Sequence, residues 1–559
     1  MMARPVAGVR DKTLILTLPG SPKGARENLE AVIHQLAHAC QQAAGADSRS
    51  LHVGGTQKLE QEAGIAKPPV TSVGAGHHHH HHHHDHGGHA APRAHTKPED
   101  RPALSNDPSA GPTRRYRESP YPMLSVVQAL SLIASKTPEP KATKAQLDQS
   151  LIGAVLAQDV KAPESVPAFR ASIVDGYAIV AANHPVVPST KGIFPVVSVS
   201  HAQAGKDMAK LEIGEVARIT TGAPLPPGAT AVVMVEDTVL KTLTEDKQEE
   251  HEIEILTDEI KEGENVREIG SDVKAGDTIM KAGEGITSIG GEYGLLASVG
   301  VRDLEIYQRP IVGVLSTGDE IIPHDRPGNL RLGEVRDTNR PTLLTAIRNS
   351  GFEAIDLGIA SDAPGSLEAT LRDALKKVDV LVTSGGVSMG ELDLLKPTIE
   401  RGLGGTIHFG RVSMKPGKPT TFATVPVKPS SSTSSDREQK VIFSLPGNPA
   451  SAVVTYHLFV LPALQKLAGY RQPWGLPRVK VVLEKDVRCD AKRSEYHRVV
   501  VQARDDGRLW ATSTGFQRSS RIGSFKGANA LLCLPAREGV VGQGETCEAL
   551  MMGPVVGLV

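Results

Sequence analysis

Apolar positions along the chain follow two different periods, and the places where the period changes divide the molecule. Residues 13–42, TLILTLPGSPKGARENLEAVIHQLAHACQQ, read as a buried strand, a Pro-Gly turn and a helix with apolar residues at helical spacing. One strand and one helix are too little to bury a core of their own. From 45 to 118 the pattern gives way to Gly, Pro, Ala, Ser and His, with eight consecutive histidines at 77–84, the composition of a disordered linker. Periodicity returns at 119. MLSVVQALSLIASK predicts an amphipathic helix, and 170–262 read mainly as strands through VVSVS, EVARITT and AVVMVEDTV. The alternation in EHEIEIL puts its acids on the wet face of an edge hairpin.

Between 301 and 470 apolar runs and helical patterns take turns: IVGVLS, RPTLLTAIRNSG, EAIDLG, GSLEATLRDALKK, VDVLVTS, ELDLLKPTIERG, then VIFSLPGNPASAVVTYHLFVLPAL. Such alternation predicts a doubly wound parallel sheet with helices on both faces. From about 475 short strands return, with a hairpin signal at Asp506-Gly507, and a small all-β domain is expected. The fold class is therefore multidomain α/β, with a mainly-β domain, a helical and mixed domain and a terminal β domain around the central α/β unit.

Composition narrows the function classes. A length of 559 residues suggests about four domains. Lys plus Arg number 62 against 63 Asp plus Glu, so no global basic field exists to capture nucleic acid or an acidic membrane. Aromatics at 3% leave no base-stacking platform. The four cysteines have neither C-x-x-C spacing nor disulfide density, which suits a reducing cytosol. No window approaches about 18 consecutive apolar residues, and the first residues lack the features of a signal peptide, so a cytoplasmic protein without a transmembrane segment is expected. The histidine tract could bind zinc, nickel or copper, or serve as a spacer or tag.

Candidate chemistry collects in turns that follow strands: LSTGDE at 315–320, TSGGVSMGELD at 383–393 and SLPGNPAS at 444–451. In an open α/β sheet such loops gather at the carboxyl ends of the strands, beside helix N-termini with unpaired N–H groups. Between the last two turns, MKPGKP presents Lys415 and Lys418 from a segment stiffened by Pro416 and Pro419, which suits an anion with several oxygens. Glu320 and Asp393 among phosphate-cradling turns suggest a shared magnesium ion; alternatively both cap helices. Three earlier turns set an acid or a hydroxyl beside glycine: FRASIVDGYAI with Asp175, TTGAPLPPGA with Thr221 and GENVREIGSDV with Asp272. L-P-G-x-P occurs at 18–22 and again at 445–449, each time between a strand and a helix.

Taken in order over about 119–559, ASIVDGYA, TTGAPLPPGA, the G-x-x-V-R-x-x-G-x-D pattern at 263–272, STGDE, TSGGVSMGE, HFGRVSMKPGKPTTFA, LPGNPASAVV, EYHR and TGFQRSSR closely resemble the molybdenum insertases of molybdenum-cofactor synthesis, a family that includes the E domain of gephyrin. Residues 4–44 resemble the carboxyl end of the companion G domain, which adenylylates molybdopterin. The upstream nucleotide loop is not in the sequence, so adenylyltransferase activity is not implied. The resemblance implies a domain remnant at 1–44, a linker at 45–118, an elongated dimerisation domain at 119–168 plus 263–300, a mainly-β domain at 169–262, a MogA-like molybdopterin-binding α/β domain at 301–474 and a β-barrel at 475–559. It implies molybdate-dependent cleavage of adenylylated molybdopterin, with molybdenum inserted into the dithiolene, AMP released, and Mg2+ supporting the hydrolysis. By position Lys418, Ser451, Arg493 and Ser520 match molybdate-contacting motifs. Asp175, Asp272, Glu320 and Asp393 match the catalytic acids, with Glu320 and Asp393 as metal ligands. Thr221, Ser384, Gly385, Gly386, Ser388, Lys415, Pro446, Gly447, Asn448 and Pro449 match substrate-binding positions. Family members are homodimers, and the Asp175 region would face a cleft completed by the second subunit. Where the family's receptor-peptide pocket uses an acid and a phenylalanine, this chain has Val127 and Leu130, which argues against receptor scaffolding. An interaction scaffold that has kept the fold without turnover is the alternative reading.

Overall fold

A computed structural model of the chain describes residues 7–10, 13–16, 120–181, 189–200, 208–361, 365–387, 394–428 and 437–557. The helix expected after LPGSP, the linker at 45–118 and the candidate residues Ser388 and Asp393 lie outside the described residues. Ala7–Arg10 and Thr13–Leu16 form an antiparallel hairpin within a unit of its own, Met1–Lys97. Everything described below belongs to the second unit, Pro98–Val559.

The first helix of that unit, Val126–Lys136, begins at a capping box: the Ser125 hydroxyl accepts from the Gln128 N–H, and the Gln128 side chain accepts from the Ser125 N–H. Its buried face, Ala129 and Ile133, enters a core shared with Phe409, Phe422, Phe443 and Phe459 of the α/β body. Short two-stranded pairings follow, including Ala142–Gln146 with Asp303–Tyr307 and Ala171–Ser172 with Val266–Arg267. The strand-rich stretch forms a six-stranded sheet in which Thr238–Leu243 is the edge and Glu250–Ile255 its antiparallel neighbour. In that hairpin Ile253 and Ile255 are buried, as the alternation of EHEIEIL requires.

The α/β sheet runs, in spatial order, Ala354–Ala360, Val312–Thr317, Val380–Ser384, Glu438–Leu445, Thr421–Val427 and Thr406–Phe409. The first four are parallel; Val312–Thr317, Val380–Ser384 and the second half of Glu438–Leu445 are buried apolar runs of the kind expected of a sheet covered on both faces, while the edge strand Ala354–Ala360 is only partly buried. The sheet is nonetheless mixed where the sequence pattern suggested a parallel one. Thr421–Val427 pairs antiparallel with Glu438–Leu445, and Thr406–Phe409 adds antiparallel to it; the polar sequence KPSSSTSSDREQK between the first two carries no apolar helical pattern, so no βαβ crossover is specified there. The helix expected over ELDLLKPTIERG is, among the described residues, only Leu395–Pro397 running into a π turn at Thr398–Gly402. Pro397 removes one N–H from the ladder and Gly404, at φ 64°, ends it.

The C-terminal sheet closes on itself. Its order is Met414–Lys415, Ser494–Ala503, Leu509–Ser513, Arg478–Leu483, Thr546–Met551 and Ala530–Leu534, and Ala530–Leu534 pairs back onto Ser494–Ala503. The result is a small barrel around Val481, Val499, Val501, Leu532 and Ala549. The Asp506-Gly507 turn joins two of its strands as expected. One barrel strand, Met414–Lys415, is lent by the chain of the α/β body, so the two domains share a ladder.

Candidate active site

Thr317, Ser384 and Leu445 end three adjacent parallel strands, and the turns after them meet at one edge. Their packing leaves no room for side chains. A β-carbon on Gly385, at φ 95°, would overlap the Thr317 carbonyl oxygen, and one on Gly386 would come within 3.0 Å of Thr317 Oγ1. The Gly385 N–H donates to the Leu445 carbonyl, 3.2 Å away. Glycine is therefore dictated by the closeness of the two turns.

Asn339, at the start of the helix Asn339–Asn349, ties these turns together. Its Nδ2 donates to Ser384 Oγ at 2.7 Å and to the Gly447 carbonyl at 2.8 Å. A carbonyl can only accept, so the amide nitrogen must face Gly447. Its Oδ1 is buried without a partner. Behind Asn339, buried Asp337 accepts from the Arg340 backbone and guanidinium, and Arg340 also pairs with Asp356. The Asp356 carboxyl stays below the ordinary carboxylate range: burial would raise it, but the Gly358 N–H and the Arg340 guanidinium prevail.

The MKPGKP strap crosses from this edge to the barrel. Gly417, at φ 112°, lies against Thr455, whose hydroxyl donates to the Ser451 carbonyl at 2.8 Å. The N–H of Ala450 donates to the carbonyl of Ser519 at 3.0 Å, bringing the PGNPAS turn, with buried Ser451, beside the loop that carries exposed Ser520. Lys415 Nζ is 2.9 Å from Glu495 Oε2 and 3.8 Å from Asp490 Oδ2, and Asp490 also holds Arg493 at 3.0 Å. Lys415, Asp490, Lys492, Glu495, His497 and Phe516 line an open cleft of about 730 Å³. Lys418 is exposed and makes no ion pair among the described residues. Ser384, Gly385, Gly386, Pro446, Gly447, Asn448, Pro449, Lys415, Lys418, Ser451, Arg493 and Ser520 thus occupy one connected set of loops spanning two domains.

Buried Arg498 supports the Ser520 loop from below. Its Nε donates to Ser524 Oγ at 3.1 Å, and the Thr514 hydroxyl, which begins the loop, donates to the Ser524 carbonyl at 2.7 Å. Burial pulls the Arg498 guanidinium down to about 10, which still leaves it charged near neutral pH.

The acids are divided. Glu320 is exposed at the α/β edge, its carboxylate folded back over Gly318. Asp175 and Asp272 stand elsewhere. Asp175 Oδ1 accepts from the N–H of Thr221 at 2.7 Å and from its hydroxyl at 3.1 Å, and Asp272 pairs with Arg267. The paired strands Ala171–Ser172 and Val266–Arg267 link this acidic group, and among the described residues no hydrogen bond or ion pair joins it to the lysine strap. Nor do the described residues hold three metal-ligating side chains together. Asn339, Asp337 and Asp490 escaped the sequence reading, and Glu495 and His497 entered it only within the EYHR motif, with no role assigned. A usable signal existed for Glu495 and His497 alone, since residues two apart on a strand share a face.

Three family profiles match the chain in order: the MoeA N-terminal region (domains I and II) at 124–300, a probable molybdopterin binding domain at 313–466 and the MoeA C-terminal region (domain IV) at 480–552. Gephyrin of Dictyostelium discoideum is 34% identical over 99% of this chain and 79% of its own length. The molybdopterin molybdenumtransferase of Haemophilus influenzae is 32% identical over 76% of this chain and 97% of its own. The crystal structure of a molybdopterin biosynthesis MoeA protein from Pyrococcus horikosii, 27% identical, superimposes with a TM-score of 0.62 and covers 78% of this chain and 100% of that one.

Proposed function

The chain belongs to the MoeA family of molybdopterin molybdenumtransferases, and from that membership we propose how its two groups of residues share one reaction. It is an enzyme of molybdenum cofactor biosynthesis, acting on molybdopterin and molybdate to insert molybdenum. Adenylylated molybdopterin lies along the carboxyl edge of the α/β sheet, its phosphoanhydride against the Ser384-Gly385-Gly386 and Pro446–Pro449 turns and Lys415. Molybdate, a tetrahedral dianion, is held by Lys418, Ser451, Arg493 and Ser520, whose ammonium, guanidinium and hydroxyl groups all donate to oxygen. Water cleaves the anhydride, AMP departs, and the dithiolene receives the metal.

Glu320 and Asp393 would hold Mg2+, whose chemistry when bound is to neutralise charge on the phosphoryl oxygens. One exposed carboxylate and a nearby phosphate fit an ion that keeps several waters and takes one or two protein carboxylates. Asp175, Thr221 and Asp272 reach the substrate from a second copy of the chain, in a homodimer.

The observation that carries this reading is the meeting of strap, turns and barrel loop where the two domains share a ladder. Purified full-length protein should release AMP from adenylylated molybdopterin only when both molybdate and Mg2+ are present. A folded dimer that releases none would favour the scaffold reading instead. Lys418→Ala and Arg493→Ala should each raise the molybdate concentration needed for half-maximal rate by about tenfold, the loss of one charged hydrogen bond.

A further inference from the structure

The pairing of Lys415 with Glu495 is unusual in one respect: the partners have opposite environments. The Lys415 side chain is 38% exposed at the cleft mouth, whereas that of Glu495 is 4% exposed. Glu495 sits on the barrel strand Ser494–Ala503, and Lys415 is its register partner on the strap strand. The other carboxylate oxygen, Oε1, meets His497 Nδ1 at 3.2 Å, and His497 Nε2 lies 2.7 Å from Ser513 Oγ on the next barrel strand. The three side chains form a line of hydrogen bonds running from the barrel's third strand to the ammonium group.

We propose that Glu495 is a positioning residue for Lys415, itself fixed by His497 and Ser513, so that the barrel sets where the strap's ammonium meets the anionic substrate. A lysine has four rotatable bonds and loses rotamer freedom when it is held. A buried carboxylate bonded on both oxygens bears that ordering before the substrate arrives. The geometry also explains why two domains share a ladder here. The Met414–Lys415 strand docks on the barrel at the residue that grips the lysine, so strap placement and side-chain placement are set together.

Glu495 could instead be a simple counter-charge, and the two roles predict opposite signs. Replacing a counter-charge by a neutral isostere leaves the cleft more positive and tightens an incoming anion. Replacing a positioning group frees the ammonium, which then competes with Arg493 for Asp490, and loosens the anion. The proposal rests on the insertase reading, in which Lys415 contacts adenylylated molybdopterin. With Glu495→Gln in the full-length protein, KM for adenylylated molybdopterin should rise about tenfold while kcat changes less than threefold. His497→Gln, which can still donate to Glu495, should stay within about twofold of the parent, whereas His497→Leu should approach Glu495→Gln. An unchanged or lowered KM in Glu495→Gln would overturn the proposal.

A second measurement needs no turnover. Acylation of Lys415 by a small activated ester, followed by peptide mass spectrometry, reports how firmly the ammonium is paired. The labelling rate should rise at least threefold in Glu495→Gln and in His497→Leu but not in His497→Gln. Faster labelling in a protein that never releases AMP would keep the positioning role and remove the insertase reading. Equal labelling rates in all variants would remove the positioning role whatever the activity.

Discussion

Gly385 shows how tightly single residues are specified at the α/β edge. Its φ of 95° is one that L side chains rarely adopt, and a β-carbon would strike the Thr317 carbonyl, which belongs to the backbone of the neighbouring strand. Gly385→Ala should therefore cost about 1–3 kcal/mol in urea denaturation and raise KM for adenylylated molybdopterin more than for molybdate. The TSGG motif made this residue legible in the sequence. Asn339 was not legible, because its partners Ser384 and Gly447 lie 45 and 108 residues away and an Asn at a helix start is ordinary. His457 carries a different residue-scale prediction. Its Nδ1 is buried without a partner and burial lowers its pKa to about 4, against about 6.5 when unfolded. The unfolded chain thus binds the proton first as pH falls. Stability should drop between about pH 6.5 and 4 by up to about 3 kcal/mol, an upper bound because the ring edge reaches a surface groove. His457→Leu should flatten that slope in denaturation curves recorded across the same range.

Among the elements, the strap depends on a glycine for a reason of packing as well as of φ. A β-carbon at Gly417 would overlap the Thr455 methyl group on the helix Pro449–Thr455. Gly417→Ala should push the strap off this helix, lowering stability by about 1–3 kcal/mol and raising KM for both substrates. Adding Thr455→Ser deletes the methyl group and should recover part of the loss, leaving the share due to φ; no recovery in thermal melts would show that the helix contact is irrelevant. Elements were read well from sequence where burial was uniform, as in VDVLVTS and VIFSL, because strands covered on both faces carry unbroken apolar runs. They were read less well where chain direction mattered. TFATVPV and EQKVIFSL are equally apolar whether parallel or antiparallel, and the signal for their antiparallel pairing is the stretch KPSSSTSSDREQK between them, whose sequence has no apolar helical period. The sharing of Met414–Lys415 with the barrel was invisible for a related reason, since two residues have no period to detect.

For the whole molecule, the separation of the acids has a consequence for assembly. Lys415, Lys418, Ser451 and Arg493 gather where the α/β body meets the barrel, while Asp175 bonds to Thr221 and Asp272 to Arg267 on either side of the Ala171–Ser172 and Val266–Arg267 pair, and among the described residues none of these acids bonds to the strap. If two copies complete each site, strap residues of one act with Asp175 of the other. Mixing Asp175→Asn chains with Lys418→Ala chains then tests the arrangement directly. Each variant alone should be nearly inactive. After co-expression in equal amounts, about half of the dimers are mixed, and each mixed dimer carries one intact site of two, so about a quarter of the parental AMP release should return. If instead each chain uses its own Asp175, every site in every dimer carries one defect and mixing restores nothing. The same experiment reads out the oligomeric state, because a monomer would also give no recovery but would elute at the mass of one chain in size-exclusion chromatography with light scattering. Recovery near one quarter, in protein that elutes as a dimer, is the outcome expected from the placement of these residues.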